Sequence, residues 1–561
     1  MKHFSSWLYR WQIIGLLCTL LGISRTQAQT WQTAVAVKQG PGDNSYVDAT
    51  AADANGNVYL VGSFSGTAVF GTISLTSVGA YDAFVAKWST ATNSFLWAQR
   101  VGESTAARAV ALNGSSIYIA GDFVGSTARF GGITLTNAGD TNGRSDGFIA
   151  KLTEVGTTAT FEWAQQLGGT EYDAVSTIAV SGNNIYVAGS FANTATFGSL
   201  NLTSAGDSDA FVAKLMDAGT TSNFAWVQRG GGIANDGVAA LAVSGTSLYV
   251  TGWLRSVPAD FGNMTVSNGG NLFVAKLTDA GNAGRFMWAE RTGGTGATSS
   301  ALAVSGSNVY VVGSFTGATV NFGTTTLTTT TRSTRNAFVT KLTDAGSSGS
   351  FIWSLWAGAS EQGTVTATDV AATGSSVYLT GQYDGTTTTF GNTTLTNNGL
   401  VGTMNALVAK VIDAGSTGSF IWTQQGGGMA DDDASAIAIS GATIYVAGSA
   451  GMMARFGSQT LLDIPGNSQV AYLAKLTEQP LAVGAPKRAV LGIYPNPART
   501  LARVAVPSGI AVVQLQDVLG HVLQNVPVKP NTPEAVLSLD GLPTGVYLVR
   551  VGASTGKLLV E

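Results

Sequence analysis

Ile185-Tyr186-Val187-Ala188-Gly189-Ser190-Phe191 is followed by Phe197-Gly198, by Asp209-Ala210-Phe211-Val212-Ala213-Lys214-Leu215 and by Phe224-Ala225-Trp226. The same succession returns along most of the chain. Its tyrosine recurs as Tyr59, Tyr118, Tyr186, Tyr249, Tyr310, Tyr378 and Tyr445. Its lysine recurs as Lys87, Lys151, Lys214, Lys276, Lys341, Lys410 and Lys475. Successive tyrosines stand 59 to 68 residues apart, so one unit of that size is repeated seven times. Each copy reads as four strands. The first is a run such as Ile178-Ala179-Val180, and the tyrosine, lysine and tryptophan runs supply the other three. An added hairpin around Phe-Gly and Leu-Thr lies between the second and third, and Gly, Asn and Asp punctuate the turns.

Repeated units of four antiparallel strands are propeller blades. Six tryptophans, Trp97, Trp163, Trp226, Trp288, Trp353 and Trp422, follow a lysine by 10 to 12 residues. Lys475 has none after it. The seventh is Trp31, ahead of the first tyrosine strand. Trp31 to Val37 is therefore expected to be the fourth strand of the last blade, closing the ring without an open edge. The expected fold is all-β: a seven-bladed β-propeller over residues 29–478, then a small C-terminal β-sandwich.

Composition agrees with many short strands and tight turns. Charged residues make up 11% of the 561, and glycine is abundant at 72. The net charge of -4 is spread thinly, and no basic block of the kind that neutralises phosphates appears, which argues against nucleic acid. Residues 1–28 read as a signal peptide: Lys2 and Arg10, an apolar run from Ile13 to Ile23, then Thr26-Gln27-Ala28 as the cleavage site. That run is too short to span a bilayer, and no other apolar stretch is long enough. The single cysteine, Cys18, leaves with the signal, so no disulfide is expected.

The Val-Tyr-Val-x-Gly-Ser-Phe and Asp-Ala-Phe-Val-Ala-Lys-Leu landmarks resemble the bacterial seven-bladed β-propeller repeat, often called the SBBP repeat. That resemblance covers about residues 31–478 and implies a fold and an exported location, not a reaction. A linker is expected over 479–488. Residues 489–561 then carry Tyr494-Pro495-Asn496-Pro497-Ala498, Asp517-Val518-Leu519-Gly520 and Pro543-Thr544-Gly545-Val546-Tyr547. These motifs resemble the type A C-terminal sorting domain of the type IX secretion system of Bacteroidota. The resemblance implies passage across the outer membrane by that machinery, then release or attachment at the surface. Tyr494, Pro495, Asn496, Pro497, Pro543, Gly545 and Tyr547 are the residues that match its motif.

Catalytic signals are few. The two histidines, His3 and His521, lie outside the propeller, which also has no cysteine. A Ser-His-Asp triad, a Cys-His pair and a His-ligated zinc site are thus unavailable there. No phosphate-cradling Gly-Lys-Ser/Thr loop is present. No catalytic residue, metal or cofactor is expected. Carboxylate-pair chemistry on a polysaccharide is the alternative, marked by two acids converging at the mouth of the central channel. The in-phase tryptophans are expected to pack between blades, and the lysines to bury their stems with their heads paired or solvated at a blade margin. Asp82, Asp146, Asp209, Asn271, Asn336 and Asn405 start the third strand and are expected to cap turns.

Recognition of one ligand needs asymmetry, so candidates are sought where copies depart from the repeat. Trp253, Arg255 and Trp356 are such departures, and Asp431, Asp432 and Asp433 open the last blade. The expected function is that of an exported binding or adhesion module, recognising a glycan or protein through one face of the ring.

Overall fold

The computed structural model describes residues 29–561 except 140–142, 268, 295, 330–334, 360–362, 398–401, 463, 467, 479–490, 508–509, 519, 530–531 and 553. The expected signal peptide and linker lie outside the described residues, as does Leu519. The chain divides into two units, Met1–Gln479 and Pro480–Glu561.

Among the described residues, the strands of the larger unit pair into seven four-stranded antiparallel meanders. The third is Ala174–Ser181, Asn184–Phe197, Leu200–Asp217 and Ser222–Gly231, paired in that order. Lys214 stands opposite Tyr186 on one side and Trp226 on the other, so the three landmarks lie in one row across the sheet. The first strand of each meander touches the first strands of the meanders before and after it. Ala436–Ser440 of the seventh in turn touches Ser45–Ala52 of the first, so the innermost strands form a closed ring. This is a β-propeller, with first strands lining a central channel. The landmark glycine serves close approach: a Cβ on Gly189 would lie 2.0 Å from the Ala174 carbonyl oxygen. The Phe-Gly hairpin is an aromatic plug, with Phe197 5.1 Å from Phe211 and 5.7 Å from Phe224 between ring centroids.

Neighbouring meanders are latched by one repeated device. The Lys214 ammonium donates to Asp279 of the next meander at 2.7 Å. The Tyr186 hydroxyl and the Trp226 Nε1–H donate to the same carboxylate, at 2.7 and 3.1 Å. Lys151, Tyr118 and Trp163 hold Asp217 in this way, and Lys276, Tyr249 and Trp288 hold Asp344. Lys87, Tyr59 and Trp97 grip Glu154, while Lys341, Tyr310 and Trp353 grip Asp413. Lys410 and Trp422 hold Glu478. Six of the seven lysine heads are thus paired, one of the two states the sequence allowed. A buried charge is tolerated because three donors converge on one acid.

The join between last and first meanders is built differently. Thr30–Ala36 pairs antiparallel with Val470–Thr477, so the N-terminal strand does complete the last meander. Its register corrects the in-phase assignment of Trp31. Trp31 faces Leu476, the place held elsewhere by phenylalanines such as Phe224, and packs edge-on to Phe456 at 5.1 Å. Thr33 stands opposite Lys475, where a tryptophan was expected. The acid is missing too. Glu and Asp three residues after the lysine become Thr90 three after Lys87. Tyr445 bonds Thr90 Oγ1 at 2.8 Å and the Gly56 carbonyl at 3.1 Å. Among the described residues Lys475 has no carboxylate partner. Trp88, fully buried, fills this seam against Tyr445.

The smaller unit has two sheets. Ile493–Tyr494, Leu501–Ala505 and Glu534–Ser538 form one; Val522–Pro527, Val512–Gln516, Gly545–Val551 and Ser554–Val560 form the other. Val504, Val513, Leu515, Leu537, Val549 and Leu558 are buried in one core, which makes it a sandwich.

Candidate functional site at the channel mouth

Six of the channel-lining strands carry a β-bulge at one register, and the bulged residue there is Asp48, Arg108, Ser176, Ala239, Ser300 or Thr368. A bulged residue is unpaired and its side chain can be re-aimed. Most positions of this ring are small and neutral. The exceptions gather where the seventh, first and second meanders meet. Arg108 forms an ion pair with Asp122 across its own meander. Asp48 lies in the fields of Arg108, Asp122 and Asp433, and Tyr46 in that of Asp433. Tyr81 senses Asp122 and Arg108. A cleft of about 400 Å³ opens here, lined among others by Tyr46, Asp48, Ser63, Tyr81 and Arg108.

The electrostatics follow from this crowding. Asp48 is exposed to the channel, yet the protein walls crowded around it desolvate its carboxyl and lift it to about 6; Arg108 opposes the shift, and Asp433 and Asp122 add to it. Burial works against the charge of Arg108, but its hydrogen bond to Asp122 and the nearby acids outweigh it and raise its pKa. Burial, reinforced by an acid, also raises the phenols of Tyr46 and Tyr81, which stay protonated as donors. Asp48, the Arg108 guanidinium and the partly exposed rings of Tyr46 and Tyr81 therefore line one concave space, with Asp122 and Asp433 close enough to act on them. Such a surface can hold a polar ligand by charge-assisted hydrogen bonds and stacking.

The sequence candidates fall into different places. Asp433 belongs to the mouth, with Ser449 N–H donating to it at 3.1 Å. Trp253 pairs with Gly237 at the register where Asp122 pairs with Ala106, so it sits in the same layer on another arc of the ring. It is half-buried over Gly237, where a Cβ would meet its ring at 2.2 Å. The Arg255 side chain is exposed, and the backbone N–H of this residue donates to Asp236 at 2.7 Å. Trp356 lies on the outer strand Gly349–Ala359 of the fifth meander, packed against that core. Asp431 is exposed and accepts the Met404 N–H at 2.9 Å. Asp432 is buried, and it accepts the N–H groups of Gly428 at 2.7 Å and Gly451 at 3.0 Å. Asp173 and Asp236 tie their own loops in this way. Asp82, Asp146 and Asp209 cap turns as expected, accepting the N–H groups of Val78, Ala138 and Ala205 at 2.7 Å each.

Sequence reasoning missed Tyr46, Asp48, Tyr81, Arg108 and Asp122. Asp48 and Arg108 carry a signal of their own: both are charged at a first-strand position that is small or neutral in the other copies.

In the smaller unit, Tyr494, Pro495, Asn496 and Pro497 are exposed. Asn496 clips them to the final strand, donating to the Lys557 carbonyl at 2.7 Å and accepting the Leu559 N–H at 2.9 Å. Pro543 is exposed, Gly545 starts its strand, and the buried Tyr547 donates to the Pro543 carbonyl at 2.7 Å.

Residues 492–561 match the family described as secretion system C-terminal sorting domain. The tail is thus a type IX sorting domain, which implies export to the surface or the medium and involvement of that secretion machinery. No curated protein matches the chain. Among solved structures, the WD40 repeats of RRP9 are 11% identical, covering 80% of this chain and 99% of that one, with a TM-score of 0.40. A protein of unknown function from Dyadobacter fermentans is 10% identical, covering 80% and 99%, at 0.34. Saccharomyces cerevisiae Sqt1 is 8% identical, covering 80% and 100%, at 0.34. Among the described residues, no helix is long and apolar enough to cross a membrane.

Proposed function

We propose that the protein is an exported seven-bladed propeller of the SBBP kind, from a member of the Bacteroidota, that binds a glycan or protein without catalysis. The observation that carries this reading is the concentration of charged and aromatic departures from the repeat at one mouth of the channel. Tyr46, Asp48, Arg108, Asp122 and Asp433 form the centre of the site. Trp253, Arg255, Asp431 and, farther out, Trp356 are its outer contacts; Asp432 shapes the loop that presents Asp431 and Asp433.

A glycan array and pull-down on the mature chain identify the ligand, and Asp48→Asn then tests the site. The expected result is binding weaker by about tenfold or more, since a charge-assisted hydrogen bond is worth roughly 1.5–3 kcal/mol. Asp48 titrates near pH 6, so its contribution is present above that pH and lost below it. In Asp48→Asn that pH dependence disappears. Unchanged affinity across pH 5 to 8 in both proteins would remove the site. One observation favours a second reading: Asp48, with its raised pKa, shares the mouth with Asp122 and Asp433, as an acid and a base do in carboxylate hydrolysis. Polysaccharide turnover that Asp48→Asn abolishes while binding persists would establish it.

The tail carries its own expectation. A chain truncated after Arg488 folds its propeller and stays in the periplasm. Cell fractionation checks this, and normal surface delivery of the truncated chain overturns the sorting role.

A further inference from the structure

Repetition supplies internal controls for every position. In the first and third meanders, the outer-strand residue opposite the landmark phenylalanine is an arginine that closes on the acid at the start of the third strand. Arg100 pairs with Asp82 at 3.0 Å, and Arg229 with Asp209 at 2.7 Å. Gln166 does the same with Asp146 in the second. Arg291 caps the Leu254 carbonyl at 2.8 Å in the fourth, and Trp356 fills the place in the fifth. The sixth meander has Gln425 and Asn405 instead. Gln425 Oε1 is drawn off by the Tyr383 hydroxyl, and a hollow of about 480 Å³ remains.

The lining of this hollow is chemically distinctive. Asn405, Gln424 and Gln425 present carboxamides, and Met429 and Met453 present apolar flanks. Arg455 is the one charged residue of the lining; it is exposed and has no ion pair among the described residues. Asp432 lies behind Gly427, with its oxygens engaged by the Gly428 and Gly451 amides. Met453 holds a left-handed backbone with φ of 64°, the kind of strain that a surrounding structure must enforce. Carboxamides pair donor and acceptor with adjacent hydroxyls, and an unpaired guanidinium fits a carboxylate in bidentate fashion.

We propose that this hollow, separate from the channel mouth, binds an acidic sugar residue, a hexuronate within a polysaccharide. Arg455 takes the carboxylate, the three carboxamides take ring hydroxyls, and the two methionines cover a C–H face. The test is calorimetric titration of the mature full-length chain with trigalacturonate, trimannuronate and the neutral galactotriose. At least one acidic trimer binds, and galactotriose binds at least tenfold more weakly. Arg455→Ala removes that preference, Arg455→Lys keeps part of it, and Asp48→Asn leaves it unchanged. Absence of binding by both acidic trimers, equal affinity for the neutral one, or full affinity in Arg455→Ala overturns the assignment. Loss of binding in Asp48→Asn also overturns it, by placing the sugar at the channel mouth.

Discussion

Asp279→Ala lowers the stability of the propeller by about 3–5 kcal/mol, the usual cost of stripping one partner from a buried ion pair. The side chains of Lys214 and Asp279 are 4% and 6% exposed, so the lysine left behind has no water to replace its acid. Tyr186 and Trp226 lose their acceptor in the same step. Chemical denaturation checks the value, and a loss below about 1 kcal/mol would mean that the latch is ornamental. The same device sets an acid limit. Burial alone would push these carboxyls up, but the Lys hydrogen bond, with those from Tyr and Trp, reverses this and holds Asp217, Asp279 and Asp413 below the usual range. Asp344 is brought to about 2. A depressed acid stabilises above its unfolded pKa, near 4, and that contribution fades as pH falls from there towards 2. Unfolding is therefore expected to steepen below about pH 4.

Much of this ring was legible because the same physics recurs seven times. Tyr186, Lys214 and Trp226 repeat since each meander must bury the same row against its neighbour. The acid that joins them escaped notice although it also repeats, as Asp217, Asp279 and their counterparts. Its partner lies one meander away, beyond the reach of a strand pattern. Trp31 misled for a related reason: a tryptophan fills a phenylalanine's place when the next strand offers Phe456, and only pairing with Leu476 decides the register. The site was legible in part. Asp433 stood out as one of three consecutive acids. Asp48 and Arg108 sit on different copies, about one unit apart in sequence, and only ring closure brings Asp433 beside them. Asp432 resembled its neighbours in charge but is spent on loop amides, a distinction that backbone geometry alone makes.

Deleting Gln29–Gln39 is expected to abolish the monomeric propeller. The strand Thr30–Ala36 pairs with Tyr472 to Thr477 of the last meander, and the adjoining Lys38–Gln39 pairs with Ala68 and Val69 of the first. Without this segment the last sheet presents a row of free N–H and C=O groups, and an open edge of that kind recruits other chains. Trp31, buried at 6% exposure, would also leave a void beside Phe456. Light scattering should show aggregation, and a monodisperse monomer with unchanged melting temperature would refute this account of closure. The opposite change should move stability the other way. Among the described residues the seam lacks the ion pair of its six counterparts, with Thr90 where the acid would stand and Lys475 half-buried without one. Thr90→Asp offers Lys475 and Tyr445 the missing carboxylate and is expected to stabilise the ring by about 1–2 kcal/mol, in line with charge-assisted hydrogen bonds elsewhere. Restoring that pair strengthens the interface where the first and last meanders of the propeller must hold each other, and its gain should vanish when Lys475 is replaced by Met.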